Sequence, residues 1–202
     1  TESDNVVVGF PTRGRHSPRQ RAVPAMFSNE LPLFLEIGLD DRFADVVQHV
    51  DERIRHLLEH QKVRGERVLR RARRTDPSVR RPNVVLNVMS FSNAISLGEA
   101  TGRIEQISTG PVRDLAIDLY RLDDDVRAHV VSDRRTQGGD AVARHAARIA
   151  HLLRSAGGIG ADSTVAELDI LPQSEIELLK SFNATDQSLP QARPLALVVD
   201  DV

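Results

Sequence analysis

The stretch "LPLFLEIGLDDRFADVVQHVDERIRHLLEH", residues 31–60, contains the change of hydrophobic period that decides the fold class. Its first part alternates, which is typical of a β-strand with one buried face. The alternating residues are Leu31, Leu33, Leu35 and Ile37. From residue 41 to about 61 the apolar spacing becomes three to four, which predicts one long amphipathic helix. Its apolar residues are Phe43, Val46, Val47, Val50, Ile54, Leu57 and Leu58. A strand leading into a long helix indicates a fold that mixes strands and helices.

Other segments have the pattern of strands. "VVVGF" (residues 6–10) is a short apolar run ended by "PTRG", and "NVVLNVMSF" (residues 83–91) is entered through Pro82. "DLAIDLYRLDDDVRAHVVSD" (residues 114–133) alternates on both sides of an acidic turn, which predicts a β-hairpin.

Two more helices are expected towards the end of the chain. One runs from about residue 140 to 154 and is stopped by "AGG". A shorter one is indicated by "SEIE", in which Ser174 and Glu177 have capping-box spacing just after Pro172. We therefore predict an α/β fold: a mixed β-sheet covered by two long helices, followed from about residue 158 by an extended linker with a short helix.

Composition limits the function without naming it. The 202 residues, 40% of them hydrophobic, suffice for one globular unit with a core. With 27 basic and 29 acidic residues the net charge is -2, which argues against nucleic acid or an anionic membrane as partner. The absence of cysteine excludes disulfides and thiolate chemistry. Because no apolar run has the length of a membrane span, we expect a cytoplasmic protein.

No constellation of residues carries chemistry by itself. His56 and His60 have a spacing that can bind zinc, but the sequence offers no obvious third ligand, so we predict no metal site. The basic run "RVLRRARR" (residues 67–74) could bind phosphate, although a solvated helix face explains it better at this net charge. "AGGIG" lacks the lysine of a phosphate loop.

Several separated motifs resemble the second lobe of condensation domains in nonribosomal peptide synthetases. "VVVGFPTRGR" (residues 6–15) resembles the family pattern "vvvGxPxxGR", "MFSNELPL" (residues 26–33) resembles "mFvNtLpL", and "HQKVRGE" (residues 60–66) resembles "HQdyPfE". The sequence departs from these patterns at Ala25, Phe34, Arg64 and Gly65.

Further matches point to a subgroup and to a linker. "RPNVVLNVMSF" (residues 81–91) and "STGPVRDLAIDLY" (residues 108–120) resemble segments of the enterobactin-synthetase-like siderophore subgroup. "LDILPQSEIELLKSFNAT" (residues 168–185) resembles the linker between condensation and adenylation domains. The resemblance implies a lobe over residues 1–157, the linker over 158–190, and the start of an adenylation region, expected to be disordered, over 191–202.

The resemblance also implies the fold and the reaction. Condensation domains are similar to chloramphenicol acetyltransferase, and their two lobes enclose a tunnel in which the amine of one substrate attacks the thioester of another to form a peptide bond. The family's catalytic "HHxxxDG" motif belongs to the first lobe, and this sequence has no adjacent histidine pair. We therefore expect no catalytic residue in this chain and no activity from the chain alone.

The partners implied are the first lobe, the upstream and downstream peptidyl carrier proteins and a downstream adenylation domain. No cofactor is expected to bind directly, because phosphopantetheine is attached to the carriers. Two alternatives remain open: a related domain that epimerises, cyclises or forms esters, and a non-catalytic scaffold for carrier docking.

The resemblance suggests roles for particular residues. Ser108, Thr109 and Asp114, in "STGPVRDL", are candidates for lining the tunnel, with the alternative that Asp114 only pins a turn. Asn29 is a further tunnel candidate, although satisfying local backbone groups is the more common role of such an asparagine. The candidates for docking an acidic carrier protein are Arg15, Arg67, Arg70 and Arg71.

Overall fold

The computed structural model describes residues 5–15, 17–89, 94–103, 110–122 and 125–186. The chain divides into two compact units, Thr1–Ile170 and Leu171–Val202. Within the described residues the first unit contains all the strands, and the second contains one helix.

The central element of the first unit is a five-stranded sheet. It is built from β1 (Asn5–Thr12), β2 (Asn29–Glu36), β3 (Val84–Met89), β6 (Leu115–Leu122) and β7 (Asp125–Ser132), in the order β2-β1-β3-β6-β7. The two outer pairs are antiparallel, whereas β1 pairs with β3 and β3 with β6 in parallel. The predictions of a mixed sheet and of a hairpin at residues 114–133 are therefore confirmed. A separate two-stranded hairpin consists of β4 (Ala94–Leu97) and β5 (Ala100–Arg103).

Helices pack against the sheet at its two edges. The helices of this unit are α1 (Pro18–Ala22), α2 (Phe43–Glu59), α3 (Gly65–Thr75) and α4 (Gly139–Gly158). α2 and α3 contact β2, and α4 contacts β7. None of the helices in the part of the chain that the structure describes combines the length and apolar character needed to cross a bilayer.

The two faces of the sheet differ in chemistry because side chains alternate along each strand. Leu31, Leu33 and Leu115 lie on one face and are almost completely buried. Leu69, on α3, is buried as well. The opposite face carries a row of polar side chains, which we describe below as the polar face.

One prediction about a helix end is wrong. The helix of the second unit, α5, spans Gln173–Asn183 and has Pro172 at its N-cap without a side-chain hydrogen bond. Ser174 therefore lies inside the first turn and does not cap it. A complete capping box exists elsewhere, where Ser17 and Gln20 bind each other's backbone at the start of α1.

The segment that follows α4 belongs to the first unit. The N–H of Phe43, at the start of α2, donates to the Ser163 carbonyl over 2.8 Å, and the N–H of Val165 donates to the Asp41 carbonyl over 2.9 Å. The segment predicted as a linker thus begins with residues bound to the first compact unit, which extends to Ile170. The adenylation region expected over residues 191–202 lies outside the described residues.

Candidate functional site

Asp114 lies at the entrance to β6 and is held by the turn that follows β7. Its Oδ1 accepts a hydrogen bond from Nε2 of Gln137 over 3.0 Å, and its backbone carbonyl accepts one from the N–H of Asp133 over 3.1 Å. Its other carboxylate oxygen, Oδ2, has no hydrogen bond to a described residue. The half-buried carboxylate is therefore fixed through one oxygen and can offer the second to another group.

The turn that follows β7 also contains an ion pair between Arg135 and Asp133. Hydrogen bonds from the Arg135 side chain, followed by one from the Arg135 backbone N–H, lower the pKa of Asp133 to about 2. The Asp133 carboxylate therefore stays charged to a lower pH than an ordinary aspartate does.

Arg113 connects Asp114 to the far edge of the sheet. Its guanidinium donates to the carboxylate of Glu30, at the start of β2. A Cβ added to Gly9 would lie only 3.2 Å from Oε1 of Glu30. Because Gly9 has no side chain, the Glu30 carboxylate can lie over β1 and reach the guanidinium of Arg113. The segment 110–114 is thus tied on one side to β2 and on the other to residues 133–137.

The polar face continues from Glu30 across the middle of the sheet. Asn87, Asp118 and His129 are partners in the ladders of β3, β6 and β7 and share one face. Nδ2 of Asn87 donates to Oδ1 of Asp118 over 3.1 Å, and Asp118 is only 8% exposed. A buried carboxylate needs such a partner. This row was not predicted, although the polar residue within each of three apolar strands is a signal visible in the sequence.

Tyr120 extends the polar face along β6. It is 3% exposed, and its ring centroid lies 5.1 Å from that of His129 in a tilted arrangement. Burial raises the pKa of its hydroxyl, and the negative charge of Asp118 raises it further. The polar face therefore combines a buried acid, an amide, an imidazole and a phenol.

Asn29 is bound to the turn between α2 and α3. Its Nδ2 donates to the carbonyls of Gln61 (3.0 Å) and Val63 (2.8 Å), and its Oδ1 accepts from the N–H of Gly65 over 3.2 Å. All three contacts are with backbone groups, which is the structural alternative considered for this residue. Its role in lining a tunnel stays a prediction.

The arginine candidates differ in their surroundings. Arg15 donates to the carbonyls of Gln20, Val23 and Ala25 and lies over the Phe27 ring, with 4.8 Å from Cζ to the ring centroid. This guanidinium organises the loop that precedes β2.

The arginines of α3 are exposed and form no hydrogen bond or ion pair with a described residue, except Arg73, which donates to the Val79 carbonyl. The exposed and unpaired ones are Arg67, Arg70, Arg71 and Arg74, and they border a shallow cleft of about 640 Å³. Ser108 and Thr109, the other tunnel candidates, lie outside the described residues.

Comparison with known proteins identifies the family that this chain resembles in sequence. The model of the condensation-domain family matches residues 1–127. The chain is 29% identical over 191 residues to a dimodular nonribosomal peptide synthase of Bacillus subtilis (strain 168), covering 93% of this chain and 8% of that protein. It is 27% identical over 120 residues to an isonitrile lipopeptide synthase of Streptomyces coeruleorubidus, covering 59% of this chain and again 8% of the relative.

The solved structures to which this chain is similar are condensation domains as well. The first condensation domain of the calcium-dependent antibiotic (CDA) synthetase superposes with a TM-score of 0.73 at 30% identity, covering 84% of this chain and 38% of that domain. A doubly substituted variant of the starter condensation domain of rhizomide synthetase, in complex with C8-CoA, has the same fold, with a TM-score of 0.74 at 23% identity over 85% of this chain and 40% of the other. The chain belongs to the condensation-domain family of nonribosomal peptide synthetases.

Proposed function

We propose that this chain is the second lobe of a condensation domain that forms the peptide bond between two carrier-bound substrates. The observation that carries the proposal is one of extent: 84% of the chain superposes on a condensation domain, yet accounts for 38% of that domain. The catalytic histidine motif would then lie on the first lobe, and this lobe would supply the opposite wall of the tunnel.

The polar face and the entrance to β6 are the part of this lobe suited to that wall. Forming an amide from a thioester creates charge on the attacking amine and on the carbonyl oxygen, and fixed polar groups stabilise such charge best. Oδ2 of Asp114 is available for a substrate group, while Oδ1 keeps the carboxylate oriented through Gln137. We assign the substrate-facing role to Asp114, with Ser108 and Thr109 beside it in the chain.

We place carrier docking on α3 and not at Arg15. The exposed guanidinium groups of Arg67, Arg70 and Arg71 have no partner among the described residues, so they can pair with an acidic surface at little cost in broken contacts. Arg15 is already engaged with backbone carbonyls. The phosphopantetheine would arrive on the carrier, and no cofactor would bind to this lobe directly.

The resemblance of residues 168–185 to a linker leads us to propose an adenylation domain as the next partner, and the subgroup motifs lead us to propose a siderophore-like product. The alternatives are a related domain that epimerises, cyclises or forms esters, and a docking scaffold. They are separated by product: an amide supports condensation, whereas an ester, a ring, an inverted centre or no product supports one of the others.

The first test compares Asp114→Asn with Gln137→Leu in the synthetase that carries this chain. Asparagine has almost the same shape and can still accept from Gln137, so we expect unchanged melting temperature and condensation slowed at least about tenfold. Gln137→Leu keeps the charge but removes the hydrogen bond, so we expect it to lower stability by about 1.5–3 kcal/mol.

Condensation is measured with loaded donor and acceptor carriers, and adenylation and carrier loading serve as controls that must not change. A normal condensation rate in Asp114→Asn would contradict the substrate-facing role. The second-lobe assignment has its own test: the chain alone should yield no product, and product should appear once a first lobe is supplied. Product from the chain alone would refute it.

A further inference from the structure

We propose that His56, Glu59 and His60 form a binding site for a divalent transition-metal ion of the zinc class at the end of α2. The sequence offers the two histidines without an obvious third ligand and predicts no metal site there, whereas the structure adds Glu59. The three residues are the single group of potential metal ligands found within the described residues. One ligand atom from each side chain lies within 4.8 Å of the other two. The spacing of three and four residues places all of them on one side of a helix.

The distances suit one shared ion. Nδ1 of His56 lies 3.7 Å from Oε2 of Glu59, and the two imidazole centroids are 4.7 Å apart. Two ligand atoms on one tetrahedral zinc ion, each about 2.0–2.1 Å from it, are separated by about 3.3 Å. Small rotations of the exposed His56 and Glu59 side chains close that difference.

His60 is already oriented as a ligand. Its Nδ1 lies 3.0 Å from the carbonyl oxygen of His56. A carbonyl oxygen can only accept, so Nδ1 carries the hydrogen and the lone pair of the neutral ring is on Nε2. A hydrogen bond from the second ring nitrogen to a carbonyl is the usual support of a metal-binding histidine.

The ligand types select the metal. Two imidazole nitrogens and one carboxylate suit zinc, nickel or copper, whereas magnesium and calcium prefer sites made of oxygen alone. Three protein ligands leave a position for water. Both imidazoles also border an apolar cleft of about 290 Å³ with Leu57, Val63 and Val68, so one side of the site is shielded by hydrophobic groups.

Binding has a structural consequence that is independent of condensation. His60 is the C-cap of α2. The carbonyl oxygen of the next residue, Gln61, accepts a hydrogen bond from Nδ2 of Asn29 on β2. An ion held by His56, Glu59 and His60 would therefore fix the end of the helix where it meets the sheet. Because the helical spacing of the ligands is not preset in the unfolded chain, the ion should stabilise the folded state.

The test is titration of the tag-free chain with zinc chloride by isothermal calorimetry. We expect one ion per chain, with affinity at least tenfold lower in His56→Ala and in His60→Ala and a smaller loss in Glu59→Gln. His49→Ala is the matched control, since His49 is also an exposed histidine of α2 and should bind as the parent does.

Thermal unfolding provides the second measurement. Zinc should raise the melting temperature of the parent chain and of His49→Ala, but not that of His60→Ala. The absence of saturable binding would overturn the site. So would affinity that both His56→Ala and His60→Ala leave intact, or that His49→Ala reduces equally. None of these results depends on whether the chain takes part in condensation.

Discussion

Gly65 shows how one residue fixes the distance between a helix and the sheet. A Cβ built on it would lie 1.8 Å from the backbone carbonyl oxygen of Glu30, which is far inside contact distance. The family motif has phenylalanine at this place, so in this chain α3 begins closer to β2 than a side chain would allow. A hydrogen bond from the N–H of Gly65 to Oδ1 of Asn29 holds the start of α3 against β2.

Gly65→Ala should therefore destabilise the protein by about 1–3 kcal/mol, since the obstructing atom is backbone and cannot rotate away. Gly157→Ala is the control within α4, where nothing lies within 4 Å of the added carbon. Alanine there should be neutral or stabilising, by up to about 0.5–1 kcal/mol. Urea unfolding measures both changes, and equal effects at the two positions would show that the close approach of α3 is not real.

Among the elements, β6 carries Asp118 and Tyr120 of the polar face, and its surroundings could be predicted from sequence only in part. Alternation located β6 and β7, and resemblance singled out Asp114. Glu30, the partner of the neighbouring Arg113, could not be predicted, because β2 lies three places from β6 in the sheet order and no local pattern encodes that order.

Other elements were missed for local reasons. For α3 the sequence favours a solvated helix face at residues 67–74 but does not give its ends, because Val68, Leu69 and Ala72 are too few apolar residues to mark them. The hairpin of β4 and β5 has strands of four residues, too short for a period to emerge. Long, strongly periodic elements such as α2 and α4 were predicted within a few residues of their observed ends.

The buried phenol of β6 gives a prediction about pH. Since Tyr120 is the one tyrosine in the sequence, an absorbance titration reports on it alone. We expect a pKa above the ordinary value of 10.0, and Asp118→Asn should lower it without restoring it fully, because burial is the larger cause.

The sign of the stability effect follows from linkage. The pKa is higher in the folded state than in the unfolded state, so the folded protein keeps this contribution below about pH 10 and loses it as the pH rises through the folded pKa. An ordinary pKa for Tyr120, or one that rises in Asp118→Asn, would contradict the arrangement of the polar face.

At the scale of the whole molecule, the first compact unit runs to Ile170, and its last residues contact residues far earlier in the chain. The sequence predicts a lobe over residues 1–157, because Gly157 and Gly158, which the structure places at the end of α4, look like the start of a linker. The structure continues the unit to Ile170 through backbone contacts with residues far earlier in the chain. Sequence patterns report neighbours along the chain, and these contacts join residues more than a hundred positions apart.

These contacts mean that the N-terminus of α2 is stabilised by residues that lie far later in the chain. Arg42, its N-cap, makes no capping hydrogen bond with its side chain, and the first amide is satisfied by the Ser163 carbonyl instead. A recombinant chain that ends at residue 157 should therefore expose the start of α2 and melt at a lower temperature than one that ends at residue 170. Amide exchange at Phe43 would locate the damage. Equal melting temperatures of the two products would mean that residues 158–170 do not stabilise the first unit. The chain could then be divided at either residue without loss of stability.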